Sequence, residues 1–330
     1  MQAFIIRRLL FAVVLVFLST VISFAILRLS PGQVGAQEIN PRVSQQYLDQ
    51  QKRLFGLDQP PHKQYLTWLG VSHLFNKSES KGLLQGDLGV SIKYAEPVSK
   101  VISSRLPATL LLNVITIVFT WAIAIPLGIW AAVRQYKWPD KFLSGLSFVG
   151  MSTPGFFMAL LLLWIFCAKL KWIPAPGFGD HDKMTSGEIV KDYVMNMIVP
   201  VVVLTFGSLA GLQRVMRGNM LEVLREQYVT TARAKGLNEN RIIYKHALRN
   251  AINPLITLLG FEFAGLFAGA ALLENVLNFP GMGQLILEAL RGKDQSLVMS
   301  TFLIGSIMLV LGNLLGEILL AIVDPRVSYD

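Results

Sequence analysis

The sequence predicts an all-α integral membrane protein, and three observations carry that expectation. Of its 330 residues, 53% are hydrophobic and 15% are charged, whereas soluble domains carry about 25% charged residues. Mean hydropathy is +0.50. Apolar runs long enough to span a bilayer recur between polar intervals, and the length has room for roughly six or seven spans of about 20 residues each. The single cysteine, Cys167, excludes an internal disulfide; among Trp164, Ile165, Phe166 and Ala168 it reads as a small hydrophobe facing lipid or bundle.

The first apolar run, Leu9 to Leu27, within an expected helix of about 9–29, follows Arg7 and Arg8 and stops at Arg28 and Pro31-Gly32. Val34-Gly35-Ala36 loosely resembles a cleavage site, but the run exceeds the apolar core of a signal peptide, about 7–15 residues, so a retained anchor is expected. Residues 30 to about 105 are polar, with loop signals at Gly56-Leu57-Asp58-Gln59-Pro60-Pro61 and from Asn76 to Lys81. Tyr65 to Leu69 suggests a short helix near the interface.

The second span is expected from Pro107 to Val133, interrupted by Pro126, and the third from Phe142 to Leu170, interrupted by Pro154-Gly155. Neighbouring helices can satisfy the backbone groups such residues free. A polar interval with Asp180, His181, Asp182 and Lys183 precedes a fourth span, Val194 to Leu212. After a long basic segment come a fifth, Pro254 to Leu273, a sixth, Leu297 to Val323, and a tail, Asp324 to Asp330. Six crossings put both termini on one side.

Short segments set orientation by their Lys and Arg. With the N-terminus inside, the inner set is Arg7, Arg8, Arg134, Lys137, Lys141, Arg214, Arg217, Arg225, Arg233, Lys235, Arg241, Lys245, Arg249 and Arg326. The short outer loops hold only Lys169, Lys171, Lys183, Lys191, Arg291 and Lys293. An N-in, C-in topology is expected. The net charge of +9, which would suggest nucleic-acid binding in a soluble protein, is absorbed as a retention signal, and no nucleic-acid partner is expected.

The segment from about 214 to 253 is the most informative. Its apolar spacing becomes helical, with Leu221, Leu224, Tyr228 and Ala232 on one face. Gly236 can take the left-handed conformation that stops a helix, and Asn238 can cap the next, which carries Ile242, Ile243, Ala247 and Leu248 into Asn253-Pro254. The expectation is a helix, a glycine elbow and a helix outside the bilayer. Thr231, Ala232 and Ala234 are small enough to let another surface approach, and Arg233, Lys235 and Arg241 offer charge. On chemistry alone, docking by a cytosolic protein and resting on anionic lipid stand as equal readings.

Thr230-Thr231-Ala232-Arg233-Ala234-Lys235-Gly236-Leu237, with His246-Ala247-Leu248-Arg249-Asn250-Ala251 and Pro254, resembles the EAA loop of binding-protein-dependent ABC importer permeases. More narrowly it resembles the B-type subunit of the dipeptide, oligopeptide and nickel permease family. The general motif, E-A-A-x-x-x-G followed by I-x-L-P, places its glycine on Gly236 and its second alanine on Ala232; Thr230 and Thr231 replace the leading Glu and Ala, and Arg249 stands at the late proline. Further landmarks spread the likeness over the chain: Arg7-Arg8-Leu9-Leu10, Gly86-Asp87-Leu88-Gly89, Ser91-Ile92, Arg105-Leu106-Pro107-Ala108-Thr109, Glu274-Asn275-Val276, Pro280-Gly281-Met282-Gly283 and Asp324-Pro325-Arg326.

The resemblance implies a type I importer fold. Residues 1–106 then form an N-terminal helix and an extracytoplasmic region, 107–324 a five-helix permease domain, and 325–330 a cytoplasmic tail. It further implies a second homologous permease subunit, two ATP-binding subunits, an extracytoplasmic substrate-binding protein, surrounding membrane lipid and a peptide or related substrate. Thr231, Ala232, Arg233, Ala234, Lys235, Gly236, Leu237 and Arg241 would form the ATPase-coupling loop. No cofactor is expected in this chain; ATP and Mg²⁺ belong to the ATPase subunits.

No G-x-x-x-x-G-K-[ST] occurs, so nothing here is built to cradle nucleotide phosphates. The four histidines show no metal-ligand spacing, and His181 between Asp180 and Asp182 reads as solvated loop. No catalytic constellation is evident, so the chain is expected not to be an enzyme. Glu262 and Glu317 fall within expected spans, where acids are costly and suggest function. Each can line a passage and meet an ammonium group, or serve as a structural hydrogen-bonding group. A proton-driven transporter working through Glu262 is the alternative reading. Gly265 with Gly269, Ala264 with Ala268, and Gly312 with Gly316 form small-xxx-small pairs that suggest close helix packing.

Overall fold

The computed structural model describes residues 2–29, 56, 58–75, 81–179, 184–266 and 269–323. The Asn76–Lys81 patch up to residue 80, the Asp180–Lys183 interval, Pro31-Gly32, Val34-Gly35-Ala36, Ala268 and the tail Asp324–Asp330 lie outside the described residues. Among the described residues there is no strand beyond one isolated bridge, Val90 with Pro97.

The helices are α1 (Gln2–Leu29), α2 (Pro61–Leu69), α3 (Val71–Phe75), α4 (Val98–Val133), α5 (Trp138–Ser152), α6 (Gly155–Leu162), α7 (Ser186–Val223), α8 (Gln227–Ala234), α9 (Glu239–Arg241), α10 (Leu248–Ala251), α11 (Asn253–Gly265), α12 (Ala271–Val276), α13 (Met282–Arg291) and α14 (Gln295–Val323). Wider π-type turns, Leu163–Lys169 and Ile242–Ala247, continue α6 and link α9 to α10.

Leu10–Leu29, α4, α7 and Gln295–Ile318 are long and apolar enough to cross a membrane; a fifth crossing is added if α5 and α6 with its continuation, bent by 101°, count as one. Six crossings were expected. The difference arises at two breaks. Thr153 is extended, as the residue before a proline must be, and Pro154 opens α6, so the third expected span turns sharply instead of running through. The fifth ends at Gly265 after 13 helical residues, about 20 Å against a hydrocarbon core of about 30 Å. Conversely, α4 passes through Pro107 and Pro126 as one helix of 36 residues, and α7 extends the expected fourth span to 38.

The chain divides into two compact units. Met1–Thr109, Phe267–Ala271 and Pro280–Val310 form the first; Leu110–Leu266, Leu272–Phe279 and Leu311–Asp330 form the second. In the first, Leu27, Val98, Ile102, Met282, Leu285 and Leu297 build a core. Landmarks far apart in sequence meet there: the Met282 amide donates to Thr109 Oγ1 at 2.7 Å, and a Cβ on Gly283 would stand 2.6 Å from the Ala271 nitrogen, so only glycine fits.

Asp294, fully buried, caps α14 through the Leu297 amide and accepts from Ser91 Oγ at 2.5 Å. Glu288 accepts from Lys93 and Tyr94. Burial raises the Tyr94 phenol, and the Glu288 carboxylate beside it adds to that, pushing it up to about 12.

In the second unit, Ala124, Ile129, Leu212, Met216, Met220, Ile243, Ala247, Ala251 and Leu255 form the core. Arg217 grips Asp140 with two hydrogen bonds, 2.5 and 2.8 Å, joining α7 to the first turn of α5.

Candidate functional site

The basic segment after α7 folds as a helix, a glycine turn and a helix. α7 stops where the amides of Leu224, Arg225 and Glu226 bond back to Met220, Glu222 and Val223. α8 ends in a closed left-handed cap. Gly236, at φ +75°, donates to the Arg233 carbonyl, and Leu237 reaches back to Ala232, the paired closure that terminates helices at a glycine. Asn238 then caps α9, its side chain accepting from the Asn240 amide at 2.9 Å. Both stereochemical expectations at the elbow, the left-handed glycine and the asparagine cap, are met.

Each arm of the elbow rests on a different core. α8 buries Val229 and Ala232 against Ile242, with Leu224 and Leu237 alongside. The arm after the glycine buries Ile243, Ala247 and Ala251 in the main core of the second unit, and Asn250 donates to the Tyr228 hydroxyl of the first arm at 2.7 Å.

Two expectations change. Ala232 is 7% exposed, so it packs the elbow's own interior and is not open to another surface, whereas Thr231 and Ala234 are exposed. The stripe Leu221, Leu224, Tyr228, Ala232 is broken by the turn at Leu224–Glu226; Tyr228 is exposed, and the buried residue sequence reasoning missed is Val229. Arg233 reaches across the glycine to Glu239, the closest contact 2.6 Å. Its hydrogen bonds hold the Glu239 carboxyl below the usual carboxylate range. Lys235 and Arg241 are exposed. Beside the elbow, Gly218, Leu221, Glu222, Arg225, Glu226 and Gln227 line a cleft of about 500 Å³.

A second place of chemical interest lies among the apolar helices. Asn113, Thr116, Ile117 and Thr120 of α4, Leu204 and Ser208 of α7, and Glu262, Gly265 and Leu266 at the end of α11 line a pocket of about 210 Å³. Glu262 accepts a hydrogen bond from the Trp121 indole at 2.7 Å. Asn113 Nδ2 donates to the Leu266 carbonyl at 2.5 Å, closing the end of α11. The hydroxyls of Thr116 and Thr120 are buried and have no hydrogen-bond partner among the described residues. Glu317 is half-buried and is not among the lining residues.

The small-residue pairs come out differently. Gly316 meets Gly260, where a Cβ on either would lie 2.5 Å from the other's Cα. Gly265 has open space at its Cβ position, and Gly269 is non-helical at φ +63°, so those two do not form a packing stripe. Gly312 is buried. Among the described residues no three His, Cys, Asp or Glu side chains are grouped to hold a metal ion.

The chain is similar to known proteins over its whole length. Residues 124–329 match the family described as binding-protein-dependent transport system inner membrane component, and residues 1–113 match the N-terminal region of such membrane components. The chain is 36% identical to the oligopeptide transport system permease protein AppB of Bacillus subtilis, over the whole of both chains. It is 35% identical to the oligopeptide transport system permease protein OppB of Haemophilus influenzae, and 31% identical to the glutathione transport system permease protein GsiC of Escherichia coli. Both of these also align over the full lengths of both chains.

Proposed function

The chain belongs to the family of binding-protein-dependent transport system inner membrane components, and from that premise we propose that it forms half of the translocation pathway of an ATP-driven importer for peptides or related small solutes. It is a multi-pass membrane protein, of a family whose members are transport permeases rather than enzymes, and membership implies ATPase and substrate-binding partners. Nothing among the relatives favours the proton-driven alternative.

In the proposed assembly this chain pairs with a second, homologous permease subunit. Two ATP-binding subunits hold ATP and Mg²⁺ and dock on the elbows, and a binding protein delivers solute from outside. The chain crosses six times with both termini inside; the bent α5–α6 pair serves as the third crossing, and α11 opens the fifth. The names of the relatives, oligopeptide and glutathione permeases, support peptides as the substrate class. Glu262 lines the pathway through its pocket. Glu317 retains its candidacy from sequence alone.

The observation that carries the proposal is the elbow: an exposed first arm bearing Thr231, Ala234 and Lys235, joined through Gly236 to a second arm that starts with the exposed Arg241 and continues into the helical core. A push on the first arm reaches the spans through the second.

The complete assembly in liposomes should import members of a di- to pentapeptide pool, read by mass spectrometry, only with ATP and both kinds of partner. Ala234→Arg, which puts a long charged side chain on the exposed arm, should remove uptake and the stimulation of ATP hydrolysis while the chain still inserts. Uphill uptake by this chain alone, or undiminished uptake by Ala234→Arg, would overturn the reading.

A further inference from the structure

We propose that the pocket around Glu262 is a binding station for a primary ammonium group, the positive end of the transported solute. This rests on the importer reading and adds to it a chemical selectivity within the permease itself.

The lining residues set the complementarity. Glu262 is the one carboxylate among the lining residues, which also include the hydroxyl residues Thr116, Thr120 and Ser208 and no Lys, Arg or His. An anion would meet Glu262 with nothing to neutralise it. A primary ammonium brings one positive charge and three N–H donors, matching a carboxylate in a pocket that hydroxyl residues also line. The strongest hydrogen bonds are those in which a partner is ionised.

The two threonines are the second, independent observation. Thr116 is 7% exposed and Thr120 1%, both line the pocket, and neither hydroxyl has a hydrogen-bond partner among the described residues. Burying a polar group without a partner costs stability, and a valine of the same shape would avoid that cost. Their spacing, i and i+4 on α4, puts both on the face that carries Asn113 and Ile117. A purely structural contact between α4 and α11 is already made by Trp121 with Glu262 and Asn113 with Leu266, so the two hydroxyls are surplus to it. They have the form of groups awaiting a ligand.

The volume sets the size of what enters. A pocket of about 210 Å³ is smaller than the roughly 300–1,000 Å³ of sites for drug-sized ligands. It takes the ammonium end of a peptide and leaves the remainder outside, so it reads the charge and not the side chains. One station can therefore serve peptides of varied sequence.

The test uses the full assembly of permeases and ATPases in nanodiscs, without the binding protein, so that selectivity measured is the permease's own. Equilibrium binding of trialanine is compared with that of N-acetyl-trialanine, which lacks the ammonium. Wild type should prefer trialanine by at least about tenfold, the worth of hydrogen bonds to a charged group. Glu262→Gln should remove the preference.

The double variant Thr116→Val with Thr120→Val leaves Glu262 and Trp121 in place. It should reduce the preference several-fold while raising thermal stability, an outcome a merely structural role would not give, because that role predicts the stability gain with binding untouched. Equal binding of the two peptides by wild type, no binding of either, or a preference that survives Glu262→Gln would overturn the inference. Displacement of trialanine by sodium with no preference for the free amine would overturn it in favour of an alkali-metal site. Loss of ATP-dependent peptide uptake by the wild-type complete assembly would instead strike the importer reading.

Discussion

Ile242 and Ile243 are neighbours of the same chemistry in one turn of the elbow, yet they belong to different cores. Ile242 closes a small cluster with Val229 and Ala232; Ile243 sits with Met216, Met220, Ala247 and Leu255 in the main core of the second unit. The arm before Gly236 is therefore lightly held and outwardly presented, and the arm after it is continuous with the packing of the long helices. A closed glycine cap and the Arg233–Glu239 pair join the two arms, and in the proposed importer displacement of the first would turn the second. The difference teaches what the proposed coupling would require: a receiving part packed only in a small cluster and a transmitting part built into the main core.

The largest expected effect breaks the joint itself. Gly236→Pro demands φ near −65° where the backbone stands at +75°, and it deletes the amide that bonds Arg233. Uptake by the reconstituted assembly should fall by about two orders of magnitude or more, while membrane insertion, followed by protease protection, stays normal. ATPase stimulation should fall with it, since a misdirected arm costs the alignment that coupled motion needs.

The adjacent isoleucines sharpen the comparison at lower cost. Ile243→Ala opens a cavity in the main core and should lower global stability by about 2–5 kcal/mol, seen as a clear fall in the melting temperature of the purified chain. Ile242→Ala removes the same group from the small cluster. Its consequence should be local opening: faster amide exchange over Gln227–Leu237 with a nearly unchanged melting temperature, and reduced uptake. Equal melting temperatures for the two variants would dissolve the distinction between soft and embedded arms.

What sequence disclosed here, and what it hid, follows from the range of the interactions. Gly236 and Asn238 were legible because left-handed backbone and helix capping depend on residues a few positions apart. The turn at Leu224–Glu226 was not, since Arg225 and Glu226 are ordinary helix formers and the amides there close on helical carbonyls; the consequence was a misplaced apolar stripe and an Ala232 assigned outward. Glu262 was conspicuous as an acid in an apolar run, but its partner Trp121 lies 141 positions away, and unpaired hydroxyls at Thr116 and Thr120 leave no trace in composition. The glycines show the same limit. A small-xxx-small pattern marks one helix surface, whereas close approach requires the facing surface, and Gly316 found Gly260 while Gly265 found open space.

The smallest expected effect concerns the latch across the glycine. Arg233 and Glu239 are 42% and 52% exposed in their side chains, and solvent-exposed pairs contribute about 0.2–1 kcal/mol, so Arg233→Ala should lower uptake modestly and leave the fold intact. The pair also has a defined pH dependence. Glu239 is held below its ordinary value by Arg233, a depressed carboxyl, so its contribution is complete above the unfolded pKa of about 4.3 and disappears as pH falls through the folded value. Between pH 6 and 8 the latch is constant and no pH effect on the elbow should arise from it. Below that range, amide exchange at Gly236 and Leu237 should quicken as acid protonates Glu239; Glu239→Gln should abolish the acid step, and high salt should weaken the latch at neutral pH. An elbow whose exchange rates ignore both acid and salt would place its stiffness in the glycine cap alone, leaving Arg233 free to face the docking partner.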